Sequence, residues 1–307
     1  MGQLQTWKRI AAGSTIGIAI GVVGFFLAQT GTQGMGILIF CLFPMCAGFA
    51  IGFVTRVAKA AAISALVTLL GSLVFLIALG KEGPLCALMA LVFLAGTIGL
   101  GAALGIALRV LVKPERAQNT TMGVFVLVAP MALFGFKQWE KRVLERPRIE
   151  TITNSVWVPD SITNTWADIQ SIDSIHASKP WLMYVGLPVP QRCTLEKGGV
   201  GARRTCYFDK GYIEETVIQW DPPRAMGLRI DRTHMPGRHW LGFENAYYEL
   251  QPEGEGTRLT RTTVISSHLY PVWYWRPLER WGVASEHRYI LEAVAGRTAG
   301  PSTAIRK

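Results

Sequence analysis

The chain has 307 residues, half of them hydrophobic and 17% charged, with a net charge of +10. That length allows two domains, and the positive balance raises the question of nucleic acid, whose phosphates need Lys and Arg. Much of the charge sits at helix ends, in Lys8-Arg9, Arg56, Lys59, Lys113, Arg116 and the 137–148 segment, where it orients membrane proteins and meets anionic headgroups; no nucleic-acid partner is expected.

The composition is split rather than mixed. Before Lys137 the only acidic residues are Glu82 and Glu115, and after it come most of the charges and all five histidines. Apolar stretches run at about 10–28, 35–55, 60–80, 84–108 and 120–136. A helix needs ~20 apolar residues to cross ~30 Å of hydrocarbon, and the first four qualify. The fifth is short and contains Pro130, so it either spans with Lys137 snorkelling or lies re-entrant. The first stretch is not a cleavable signal, since further spans follow at once. Residues 1–136 therefore read as a transmembrane bundle of about five helices.

Lys8-Arg9, Arg56/Lys59 and Arg109/Lys113/Arg116 fall on alternate sides of successive spans, which puts the N-terminus in the cytoplasm. Five spans place the second half outside it. The basic 137–148 segment would suit four spans and a cytoplasmic second half; the five-span reading is favoured. Gly13, Gly17 and Gly21 form one small-residue row, and Gly101 and Gly105 another. Such rows let helix backbones approach closely, within the chain or through a homo-oligomer. No ionisable residue lies mid-span, whereas ion and proton pathways need them; the bundle reads as an anchor.

Residues 137–150 read as a juxtamembrane linker or helix extension. TITNSVWV follows as a strand, and Asp160 or Ser161 suits the cap of a short helix through ITNTWADIQ, with Ser171 capping another. Then come RCTLEK, the Gly198-Gly199 turn, ARRTCYFD, and YIEETVIQW ending at Trp220. Pro222 and Pro223 cannot donate to a sheet ladder and mark a turn or bulge. Beyond them Met226, Leu228 and Ile230 alternate with polar positions. A loop at 232–242, FENAYYEL, a PEGEGT turn and RLTRTTVISS follow. A closing helix begins near Pro277 and stops at Gly296. Its spacing puts Trp281, Ser285 and Tyr289 on one side, with Arg276, Arg280, Ala284 and His287 on the other. Residues 297–307 read as a disordered tail.

This order of strand, two short helices, six strands and a long helix resembles the helix-grip fold of the START-like, Bet v 1-like (SRPBCC) superfamily, the polyketide cyclase/dehydrase and lipid transport type. WDPPRAMGL resembles its Trp-x-Pro-Pro-Arg corner, GEGTRLTRTT its Gly-Thr-Arg-Leu hairpin, and the last helix its gripping helix. The likeness covers residues 151–296 and carries no catalytic signature. It is strongest to bacterial membrane-tethered members, which implies a multi-pass protein of a bacterial cytoplasmic (inner) membrane. The implied fold class is an N-terminal all-α transmembrane bundle plus a C-terminal α+β domain, a curved seven-stranded antiparallel sheet around the long helix. The implied function is binding of a lipid or other hydrophobic small molecule between sheet and helix. The alternatives are a cyclase- or dehydratase-like enzyme on a hydrophobic substrate, and a structural or assembly module whose interior is filled.

By strand alternation Met226, Leu228, Ile230, Tyr248, Leu250, Leu259, Thr263 and Ile265 face inward, with Trp281 and Tyr289 opposite them on the helix. Arg261 shares the parity of Leu259 and Thr263. A buried guanidinium needs a partner, either a ligand carboxylate or phosphate or a structural Glu such as Glu215. The Trp273-to-Trp281 segment mixes aromatic and cationic residues in the manner of a headgroup interface, or packs under the helix. Cys193 and Cys206 flank the glycine turn and can meet across a hairpin: outside the cytoplasm as a disulfide, inside it as two thiols. His234 and His239 lack the spacing of a zinc site, so neither metal nor cofactor is expected. His287 is the best acid–base candidate by residue type, but its helical phase makes it a surface histidine.

Overall fold

The computed structural model describes residues 2–30, 34–80, 83–111, 115–175, 177–235 and 240–298. His239 and residues 299–307 of the expected tail lie outside them. The chain divides into two compact units, Met1–Pro147 with His268–Val272, and Arg148–Ser267 with Trp273–Lys307.

The first unit is helical: α1 (Gly2–Gln29), α2 (Phe43–Thr55), α3 (Ala58–Ala78), α4 (Pro84–Leu111) and α5 (Glu115–Leu144). Among the described residues four segments are long and apolar enough to cross a membrane: Leu4–Gln29, Leu38–Thr55, Ala58–Ala78 and Pro84–Leu111. A π-helical turn, Leu38–Leu42, leads into α2. Thr97 of α4 donates its hydroxyl to the Phe40 carbonyl of this turn at 3.1 Å.

Small residues set the helix packing. A Cβ added to Gly48 or Gly52 would press into the Ile98 and Ala102 carbonyls, and one on Gly101 or Gly105 into those of Met45 and Phe49. α2 and α4 thus meet backbone to backbone along two reciprocal glycine rows, which replaces the hydrophobic drive that lipid withholds. The other row works likewise: Gly17 lies against Thr68 and Ile51, and Gly21 against Ser72. Ser64 of α3 donates to the Ile10 carbonyl of α1 at 3.1 Å. Both rows identified from sequence are therefore occupied by helices of the same chain.

α5 runs unbroken through Pro130 to Leu144, so of the two readings of residues 137–150, linker or helix extension, the extension holds as far as Leu144. At that end Lys137 donates to the Leu27 carbonyl at 2.6 Å and to the Thr30 hydroxyl at 2.5 Å. Glu140 accepts from the Leu38 amide at 3.2 Å. A cation thus meets the carbonyl end of α1, and a carboxylate the amide end of the following helical turn, each matching the local helix dipole. The far end of α4 lies by the end of α2, where Arg109 donates to the Phe53 carbonyl at 2.7 Å. α5 therefore starts at the α2/α4 end of the bundle and finishes at the α1–α2 turn. His268–Val272 joins this unit through Met35, whose amide donates to the His268 carbonyl at 3.0 Å.

The second unit is one antiparallel sheet of seven strands in the order β1-β7-β6-β5-β4-β3-β2. The strands are β1 (Arg148–Val158), β2 (Pro190–Leu195), β3 (Arg203–Phe208), β4 (Gly211–Asp221), β5 (Ala225–His234), β6 (Leu241–Glu253) and β7 (Gly256–Ser267). α6 (Ile162–Gln170) and α7 (Trp181–Tyr184) lie between β1 and β2, and α8 (Val272–Thr298) closes the chain. This is the helix-grip fold.

Ser161 caps α6, its hydroxyl accepting from the Asn164 amide at 3.2 Å. Ser171 ends α6 and does not cap a second helix, contrary to expectation. Instead the Ile172 backbone exchanges two 2.8 Å hydrogen bonds with Cys193, and the second helix waits until Trp181. The prolines at 222 and 223 occupy the β4–β5 turn, which the Arg224 amide closes onto the Asp221 carbonyl at 2.7 Å. The expected loop at 232–242 is shorter, because β5 continues to His234 and β6 starts at Leu241. The last helix starts at Val272, five residues before Pro277.

Candidate functional site

Strand alternation decides the inner surface. Met226, Leu228, Tyr248, Leu250, Leu259, Thr263 and Ile265 are all buried, as is Tyr289 on α8, whose hydroxyl donates to the Ile175 carbonyl at 3.1 Å. Ile230 is half-buried near the end where β5 leaves its neighbour β6. Trp281 departs from expectation: it is 42% exposed, and its ring lies against Trp181 with centroids 5.3 Å apart.

The helix phase explains that departure. Val283 packs against Ile152 and Ile265, and Glu279, His287, Ile290 and Val294 are buried with it. At about 100° per residue this face lies roughly 180° round α8 from one centred on Trp281 and Ser285. The inward stripe includes Glu279 and His287, which carry polar groups. Those groups are tolerated inside because the strands supply their partners.

Glu279 accepts from the Ser267 hydroxyl at 2.5 Å and from Arg148, which also donates to Glu150 at 2.7 Å. Arg276 reaches Glu150 at 2.8 Å, so the first turns of α8 are tied to β1 by charge. Further along, His287, 0% exposed, overturns its assignment to the surface. Its Nδ1 lies 2.9 Å from Asn154 Oδ1 and its Nε2 2.7 Å from the Thr263 hydroxyl. Because the amide oxygen only accepts, Nδ1 carries the proton and Nε2 accepts from Thr263. Burial, with the positive charge of Arg261, pushes the imidazole down to about 2, so it stays neutral.

Arg261, 8% exposed, points inward as its parity required. Its ionic partner is Glu286 of α8 at 3.1 Å, not Glu215. Glu215 serves Arg204, the residue that sequence reasoning missed, at 2.7 Å. Arg204 shares strand parity with the buried Cys206, and the test that flagged Arg261 would have found it. Burial works against both charged guanidiniums; Glu215 beside Arg204 and Glu286 beside Arg261 outweigh it and hold both above the ordinary arginine range. Both lie near the Tyr248 ring, at 5.7 Å for Arg204 and 5.5 Å for Arg261.

Cys193 and Cys206 are direct partners across β2 and β3, and their sulfurs are bonded in a disulfide. Among the described residues no group of three or more His, Cys, Asp and Glu side chains could hold a metal ion.

No family model and no curated protein matches this chain. Solved structures do. The Zhui aromatase/cyclase from Streptomyces sp. R1128 is 17% identical over 51% of this chain and 98% of that one, with a TM-score of 0.37. A protein from Arthrobacter aurescens is 16% identical over 51% and 90%, at 0.35. Norcoclaurine synthase from Thalictrum flavum, in complex with dopamine and hydroxybenzaldehyde, is 10% identical over 52% and 92%, at 0.34. The helix-grip assignment rests on this chain's own strand order and closing helix.

Proposed function

We propose that the chain is a membrane-anchored helix-grip protein that binds a lipid or other hydrophobic small molecule between the sheet and α8. One observation carries this reading: the inner face joins an apolar wall to a few buried polar groups. Such a pairing is how small-molecule sites combine affinity with orientation. Met226, Leu228, Leu250 and Leu259 form the wall, and Arg204, Arg261 and the Thr263–His287–Asn154 chain supply the polar groups. An apolar ligand handled beside a bilayer need not cross much water, which gives the anchor a purpose.

The domain is read as extracytoplasmic, with α5 as the fifth crossing. Three features support this. α5 finishes at the α1–α2 turn, opposite the end where α2 and α4 finish. Lys137 is engaged as a helix cap, which reduces the weight of the 137–148 charges as a cytoplasmic signal. The Cys193–Cys206 bond suits an oxidising compartment. Assembly through the glycine rows forms no part of the reading, since those rows already hold helices of this chain.

Enzymatic turnover would require a proton donor or acceptor inside the domain. His287, neutral down to about pH 2, supports a hydrogen-bonding role over proton donation. Native mass spectrometry of the full-length protein released from nanodiscs tests the reading. A co-purifying hydrophobic molecule, retained through exchange of the surrounding lipid, is the expected result. Protein that emerges bare and takes up no apolar probe overturns it.

A further inference from the structure

The polar end of the ligand can be read from Arg261. Its Nη2 donates to Glu286 at 3.1 Å, while Nε and Nη1 are buried with no hydrogen-bond partner. Arg204 is better satisfied: Nη1 donates to Glu215, Nη2 to the Ile169 carbonyl, and only Nε is left over. Buried donors are almost always paired, and a charged donor loses more than a neutral one when it is not. Two unmet donors on one guanidinium therefore point to an acceptor that arrives with a ligand.

Resting on the ligand-binding reading, we propose that the ligand is an amphiphilic acid whose carboxylate or phosphate head is held by Arg261 beneath α8. The unmet donors, not a surplus of charge, favour an anion over a neutral carbonyl. Glu215 is committed to Arg204, and Glu286 meets Arg261 through a single N–H. His287, near enough to feel the charge of Arg261, spends both ring nitrogens on Asn154 and Thr263. The unmet donors thus belong to cations, and hydrogen bonds from a cation to an anion are the strong ones. The strand register supplies the tail's direction. Arg261 pairs with Tyr248, and the next inward pair along β7 and β6 is Leu259 with Leu250. One step along the ladder passes from a cationic position to an apolar one, which is the pattern of a head and a tail.

Photocrosslinking of the full-length protein in phosphatidylcholine nanodiscs tests this, with diazirine-tailed dodecanoic acid, dodecyl phosphate and dodecanol as probes. The two anionic probes should label β6 and β7 peptides about tenfold more than the alcohol, the size of one charge-assisted contact. Arg261→Gln should bring them down to the alcohol's level, with alcohol labelling retained as the sign of a folded site. Glu286→Gln, which keeps Arg261 and frees its third nitrogen, should raise anionic labelling. Equal labelling of the wild type by all three probes overturns the acidic head and leaves the apolar site standing. No labelling of the domain by any probe overturns the ligand-binding reading and this proposal with it. Loss of anionic labelling on adding millimolar inorganic phosphate would show that a free anion suffices and would refute the amphiphile.

Discussion

Arg204 and Glu215 meet at 2.7 Å under the sheet, and each is tolerated there only because of the other. Glu215→Gln should cost about 3–5 kcal/mol by stranding a buried guanidinium, whereas Arg204→Met with Glu215→Leu should recover most of that loss. Urea unfolding of the three proteins checks this, and a single variant as stable as the double one refutes it. His287 makes stability depend on pH. The folded state keeps the ring neutral down to about 2, while the unfolded chain takes a proton below its ordinary 6.5. The unfolded state therefore binds more protons between those values, and stability falls as pH drops from 6.5, by about 1.4 kcal/mol per pH unit. His287→Gln should lose that slope. Thermal unfolding at pH 7, 6 and 5 measures it, and parallel slopes in both proteins would rule out the assignment.

Among the elements, the β2–β3 hairpin is closed by a disulfide between residues 13 apart in sequence. Cross-linking so short a loop restricts the unfolded chain, so Cys206→Ser should lose about 3 kcal/mol. Thiol labelling of the unfolded wild type without reductant should find only Cys41, Cys46 and Cys86, and five labelled thiols would contradict the bond. The α2–α4 contact is as specific. Gly52→Leu would drive a side chain into the Ala102 carbonyl, whereas Gly99→Leu on α4 meets nothing within 4 Å. The first should lower expression and thermal stability, and the second should leave both near wild type. The phase of α8 shows where sequence periodicity misleads at this scale. With aromatic, charged and small residues spread all round the helix, its amphipathic signal is weak. The inward stripe is chosen by the partners of Glu279, Glu286 and His287 on β1 and β7.

For the whole molecule, sidedness is the property to measure. Reporters fused after Arg148 should be active outside the cytoplasm, and cytoplasmic activity there would refute the five-crossing arrangement and the compartment invoked for the disulfide. The sequence alone established the division into an apolar helical half and a sheet-forming half, because hydropathy and the spacing of turn residues are local and survive without knowledge of contacts. It also placed Met226, Leu228, Tyr248, Leu259, Thr263 and Ile265 inward, since a strand's period of two leaves only two choices. Tertiary structure decided the rest. It chose which carboxylate each buried arginine meets, which side of α8 faces the sheet, and which helix ends Lys137 and Glu140 cap. Those outcomes depend on groups distant in sequence, such as Asn154 and His287 at 2.9 Å. No local pattern records a pairing whose energy exists only once the chain has folded.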